Sequence, residues 1–165
     1  AHHLTVTKHL WGTFRRDPTP QKGIFTGLPP SLMMEPMMWY FLTGILERHP
    51  NLKIVWVEPG LFWIPGFLEF LDRRMHQHYD FPGVKELPST YWKRQMAVTF
   101  VDEPEAVNNR YELGIENLLW STDFPHPCCN WPNAQAKVAE MFKDMPEEET
   151  DKITWGNGAR MYGFA

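Results

Sequence analysis

The stretch Leu52-Lys53-Ile54-Val55-Trp56-Val57-Glu58-Pro59-Gly60 decides the fold. It is a short, mainly apolar run halted by Pro-Gly, and it reads as a strand. Helix-type sequence lies on both sides. Before it, Met38, Phe41, Leu42, Ile45 and Leu46 form one apolar stripe at helical spacing, so residues 35–49 read as a helix. Pro36 suits its first position and Pro50 closes it. After it, Ile64, Phe67, Leu68, Leu71 and Met75 make a second stripe, over a helix expected at 65–79.

The same alternation continues outward. Residues 4–11 are rich in β-branched types and read as a first strand, followed by a long Pro/Gly-rich loop over 12–30. Residues 80–91 read as loop, 96–101 as a third strand and 104–113 as a helix ended by Gly114. Residues 117–122 form a fourth strand with Asp123 at its carboxyl end. Asn133 caps a helix through 142, Pro146-Glu147-Glu148-Glu149 opens another, and 157–162 make a last turn. An order β-α-β-α-β-α-β-α means parallel strands joined by crossover helices. Neither a G-x-G-x-x-G turn nor a phosphate-binding P-loop follows any strand, so nothing supports a nucleotide-binding doubly wound sheet. A complete eight-unit barrel takes about 250 residues, with about 200 as the floor. This chain has 165. The expectation is an α/β single domain over 1–165: a partial (β/α)8 TIM barrel of about four βα units with parallel strands.

Composition narrows the function. Lys plus Arg number 16 against 20 Asp plus Glu, a net charge of −4, so no basic surface is expected to bind nucleic acid. Aromatics reach 15% and charged residues only 22%, a balance that favours a folded chain. No apolar run of about 18 residues predicts a membrane span, and no basic-apolar leader is visible. Cys128 and Cys129 are adjacent, which argues against a disulfide framework and for a reducing, cytoplasmic setting. The chain begins at Ala1, consistent with a truncated or processed product.

Reactive side chains gather at the carboxyl ends of the strands: His9, then Glu58, then Asp102 and Glu103, then Asp123 and His126. Parallel α/β folds build their sites on that edge. An Asp on a rigid strand end can bind a divalent cation or take a proton, and a neutral His can ligate the same ion. Each has a plainer reading. A strand-end Asp often caps a helix, a lone His is usually structural, and Glu58 before Pro-Gly can simply hold its loop. Convergence on one rim favours the chemical reading. Trp11, Trp63 and Trp131 fall in rim loops, where they serve equally as a substrate floor or as loop anchors. The adjacent cysteines lack zinc-pair spacing.

Three stretches carry a family resemblance: residues 44–58 with Trp63-Ile64-Pro65; Leu119-Trp120-Ser121-Thr122-Asp123-Phe124-Pro125-His126 with Trp131-Pro132; and Lys152-Ile153 through Asn157-Gly158-Ala159-Arg160-Met161-Tyr162-Gly163. Together they resemble the amidohydrolase-related family typified by aminocarboxymuconate-semialdehyde decarboxylase, with its aromatic-acid decarboxylases and lactone hydrolases. The resemblance implies a metal-dependent barrel of which this chain is the carboxyl-terminal half. It implies a divalent ion, zinc first and manganese as the alternative, with His9 and Asp123 as ligands. It implies Asp123, Glu58 and His126 as catalytic or orienting groups, and Trp11, Trp63 and Phe124 toward a small carboxylated, cyclic or aromatic substrate. Glu58 stands where decarboxylases often carry a His, and the family's first-strand His-x-His pair has no counterpart. The reading is therefore a metal-dependent hydrolase or decarboxylase. Its alternative is a catalytically incomplete half-barrel or interaction subunit, a homo-oligomer or a chain needing its amino-terminal half.

Overall fold

The computed structural model describes residues 27, 29–78, 81–127 and 129–164. The expected strand over 4–11, with His9 and Trp11, lies outside them. The other three expected strands are present as β1 (Ile54–Val57), β2 (Met96–Phe100) and β3 (Leu118–Trp120). They form one parallel sheet in the order β1-β2-β3. The register pairs Ile54 with Met96 and Val57 with Thr99, then Val98 with Leu118 and Phe100 with Trp120.

The helices depart from expectation where the backbone, not the apolar pattern, decides. The first, α1 (Pro29–Leu42), starts earlier than predicted and contains Pro36. It stops short because Gly44 adopts φ +69°, and a Cβ there would sit 2.8 Å from the carbonyl oxygen of Gly83. A separate turn, α2 (Ile45–Arg48), follows. Helix α3 (Ile64–His78) matches its prediction within a residue. The loop expected over 80–91 instead gives way to α4 (Pro88–Gln95), which leads directly into β2. The helix expected over 104–113 is two single turns, α5 (Glu105–Asn108) and α6 (Arg110–Leu113), split at Asn109. A 3-10 turn, Ile115–Asn117, precedes β3. Helix α7 (Ala134–Met141) follows. The chain then runs through α8 (Glu147–Asp151), a π-turn (Lys152–Gly156) and α9 (Asn157–Tyr162).

Strand alternation separates two apolar faces. Trp56, Met96, Val98, Phe100 and Leu118 belong to the main core, with Met37, Phe41, Ile64 and Trp92 from the helices. Val55, Ala97 and Leu119 form a second buried cluster, against which Val57 and Met161 pack.

Gln95, Asn117 and Asn157 are the buried polar residues among the described ones, and each closes the amino-terminal end of a strand. Gln95 Nε2 donates to the carbonyls of His49 (2.9 Å) and Leu52 (3.3 Å), ahead of β1. Asn117 Nδ2 lies 3.0 Å from the Trp92 carbonyl and 2.6 Å from that of Met96, at the start of β2. Asn157 Nδ2 reaches the carbonyls of Ile115 (2.7 Å) and Leu118 (2.9 Å), at the start of β3. Each unit thus fastens the loop of the unit before it, and buried carbonyls that no ladder can use find donors. Gly114 permits this at Asn117: it holds φ +90°, and a Cβ there would lie 2.3 Å from Asn117 Oδ1. With that end committed to stability, the opposite, carboxyl end is where chemistry can sit.

Candidate active site

Glu58 is the first residue beyond β1. Its N–H donates to Thr99 Oγ1 of β2 at 3.1 Å, which holds the strand end in register. Its φ is +53°, a left-handed torsion that a Glu seldom adopts. Asp123 lies just beyond β3. Its N–H donates to Ser121 Oγ at 3.1 Å, and its φ is +56°. These are the two non-glycine residues with positive φ among the described ones. Such torsions cost of the order of 1–3 kcal/mol and persist where the surroundings over-determine them, commonly at functional sites.

The two side chains meet. Glu58 and Asp123 share a side-chain hydrogen bond. Asp123 Oδ2 also lies 3.0 Å from His126 Nδ1, with the Asp123 side chain 22% exposed and that of His126 59% exposed. A short turn sets this spacing, since the His126 N–H donates to the Asp123 carbonyl at 2.7 Å. The result is a Glu58–Asp123–His126 row on the rim. Partial burial, then the hydrogen bond and charge of Asp123, then the charge of Glu103, push the Glu58 carboxyl up to about 7. Two carboxylates in contact do not both ionise easily, so Glu58 keeps its proton to near neutrality.

The remaining predicted residues take varied places. Trp63 is 7% exposed and packed in the core. Its indole N–H donates to the Pro59 carbonyl at 2.9 Å, the placement of a loop anchor. Phe124 is 63% exposed and meets the equally exposed Trp131 edge to face, with ring centroids 5.8 Å apart. Phe62, in the loop after Glu58, is also 63% exposed. Three exposed aromatic rings thus belong to the two loops that carry the acidic pair. Glu103, noted in the sequence only for its position, accepts the Leu61 N–H at 2.7 Å. Burial pushes its carboxyl above the usual range, against the pull of that bond. Asn130 Nδ2 is buried with no partner. Nothing in the sequence marked the Glu103–Leu61 contact, because it depends on how two loops are brought together.

A metal fits this donor set only in part. Two adjoining carboxylates suit a divalent cation, which would relieve their mutual repulsion. Among the described residues, however, no group of three or more His, Cys, Asp or Glu side chains is arranged to hold an ion. Asp123 and Glu58 are two donors short of a four-coordinate site.

Comparison with known proteins supplies the wider frame. Residues 9–164 match the family model described as Amidohydrolase. No curated protein gives a significant match. Among solved structures, 5-carboxyvanillate decarboxylase from Sphingomonas paucimobilis aligns with a TM-score of 0.64 and 26% identity, over 82% of this chain and 40% of that one. An amidohydrolase from Mycobacterium avium subsp. paratuberculosis aligns with a TM-score of 0.77 and 20% identity, over 96% and 41%. A dihydroxybenzoic acid decarboxylase from a Polaromonas species, with bound manganese and the inhibitor 2-nitroresorcinol, aligns with a TM-score of 0.67 and 19% identity, over 90% and 48%. The chain spans less than half the length of each of these three proteins. No helix among the described residues is long and apolar enough to cross a membrane.

Proposed function

We propose, from the premise that the chain belongs to the amidohydrolase family, that it carries the carboxyl-terminal part of a metal-dependent hydrolase or decarboxylase barrel. Its substrate is a small carboxylated, cyclic or aromatic compound. One observation carries this reading. Glu58 and Asp123, from the carboxyl ends of two strands that do not touch, are hydrogen-bonded and both held in left-handed torsions.

Each residue has a distinct part. Asp123 presents one oxygen to His126 and is bonded to Glu58, so its orientation is fixed from two sides. Glu58 holds the proton that the pair shares and is the group able to deliver it, to a leaving oxygen in hydrolysis or to a ring carbon in carboxyl loss. His126 orients Asp123. Phe124 and Trp131, exposed beside this row, offer apolar surface to a flat ring. Asp123, with His9 from the amino-terminal segment, would hold the divalent ion, leaving the proton on Glu58 beside it. When bound, such an ion polarises a carbonyl or carboxylate oxygen. Zinc and manganese both suit the donors, and the manganese in the Polaromonas protein favours testing manganese first.

A second reading follows from length. A chain less than half as long as its structural relatives, with a sheet in which β1 and β3 are both outer strands among the described residues, is catalytically incomplete until an amino-terminal half joins it. One experiment addresses both readings. Aromatic carboxylates such as 2,6-dihydroxybenzoate, and simple lactones, are offered with Mn2+ or Zn2+, with and without the segment encoded upstream. Ion-dependent turnover that Asp123→Asn abolishes, with circular dichroism unchanged, supports the enzyme. Turnover that survives Asp123→Asn removes that residue from the reaction. Tight, stoichiometric zinc in the isolated chain contradicts the incomplete half.

A further inference from the structure

The loop that carries Glu58 is held from outside itself. Residues 58–63 leave β1 through two left-handed torsions, Glu58 at φ +53° and Gly60 at φ +77°. A path of that kind needs fixed points. One is internal, the bond from the Trp63 indole to the Pro59 carbonyl. The other two come from β2 and its carboxyl end. Thr99 Oγ1 receives the Glu58 N–H, and Glu103 Oε2 receives the Leu61 N–H at 2.7 Å. The Glu103 bond is the shorter of these two. Leu61 is fully buried, so its N–H has no water to fall back on.

We propose that Glu103 is a positioning residue: by accepting the Leu61 N–H, it fixes the 58–63 loop in the path that aims Glu58 at Asp123. The inference rests on the reading of Glu58 and Asp123 as the chemical pair and adds a residue that touches neither the substrate nor the ion. What positions the loop is the reach of the Glu103 side chain to a single amide, with its charge secondary.

Reach and charge separate cleanly in variants. Glu103→Gln keeps the reach and a carbonyl acceptor and drops the charge. Glu103→Asp keeps the charge and shortens the reach by one methylene. Glu103→Ala loses both. Two readouts apply to the chain as expressed: hydrogen exchange at the Leu61 and Glu58 amides, and Mn2+ affinity followed by electron paramagnetic resonance. The expected result is that Asp and Ala at 103 speed Leu61 exchange by about tenfold or more and weaken Mn2+ binding severalfold, while Gln stays within about twofold of wild type in both. The reverse order, with Asp like wild type and Gln like Ala, overturns the proposal in favour of charge. Unchanged exchange in all three overturns it outright, as does faster Leu61 exchange with unaltered Mn2+ affinity. A wild-type chain that takes up no Mn2+ favours the incomplete-half reading of the site. The Glu58 amide then decides the present proposal, and it must loosen with Leu61 in Glu103→Asp.

Discussion

Glu58 and Asp123 share a hydrogen bond although their strands, β1 and β3, are separated by the whole width of β2. In a flat sheet the two strands would lie about 10 Å apart. The two side chains and one hydrogen bond between them span that gap, reaching across from strand ends that turn. The turning is done by left-handed backbone at both residues, φ +53° and φ +56°. That geometry separates stability from chemistry. Glu58→Gly relieves both an unfavourable torsion and a carboxylate–carboxylate contact, so it should raise stability by about 1 kcal/mol in urea unfolding while removing turnover. Asp123→Gly should gain less, because Asp tolerates this torsion better than Glu. A loss of stability in Glu58→Gly would show that the residue is structural.

His126 touches the pair through Asp123, and its side chain is mostly exposed. An orienting group of that kind typically accounts for about 10–100-fold in activity or metal affinity when removed. His126→Ala should therefore lower kcat/KM by about that factor, and Asp123→Asn should lower it much further. Initial rates on whichever aromatic carboxylate or lactone is turned over provide the check. Equal losses in the two variants would promote His126 from an orienting role to a catalytic one.

What could be read beforehand followed apolar patterning. The runs at Ile54, Met96 and Leu118 showed the three described strands, because buried parallel strands leave long apolar signatures. Helix α4 escaped because its buried stripe, Pro88, Tyr91, Trp92 and Gln95, is short, includes a polar residue and rests on aromatic types that favour strands. Its other signals are Pro at the first turn and Lys93-Arg94 in the last. The break at Gly44 escaped because its cause is the approach of Gly83 from a distant loop. At the site, Glu58, Asp123 and His126 could be named from their strand-end positions. The torsions that join them could not, since sequence preference would put glycine there. The clamp from Glu103 to Leu61 depends on two loops whose meeting no local pattern encodes.

The buried amides at the opposite end give a prediction that leaves the rim untouched. Asn117 Nδ2 serves carbonyls of Trp92 and Met96, and the residue is 4% exposed. Asn117→Leu keeps the branching at Cγ but strands those carbonyls away from water and crowds the turn that Gly114 makes. A cost of about 2–3 kcal/mol is expected, read as a lower urea midpoint with an unchanged slope. Mn2+ affinity of the folded fraction should not move. A change there would mean that the two ends of the sheet are coupled.

Acid sensitivity should trace to a pair far from the rim. Arg110 Nε lies 2.7 Å from Glu149 Oε2, joining α6 to α8. The hydrogen bond from Arg110, more than its bare charge, holds the Glu149 carboxyl below the usual Glu range, with Tyr111 adding a second bond. A carboxyl with a lower value in the folded chain than in the unfolded one releases its proton on folding. Its contribution is therefore fully present above the ordinary Glu range, and it fades as pH falls through the depressed folded value. Urea midpoints of wild type and Glu149→Gln should differ most near pH 7 and converge as the buffer is taken below pH 4. Both side chains keep 18% of their surface in solvent, so the difference at neutral pH should be modest and should shrink further in high salt. A gap that persists unchanged into acid would show that the amide perturbs packing, and that the ion pair is not what ties α8 to α6.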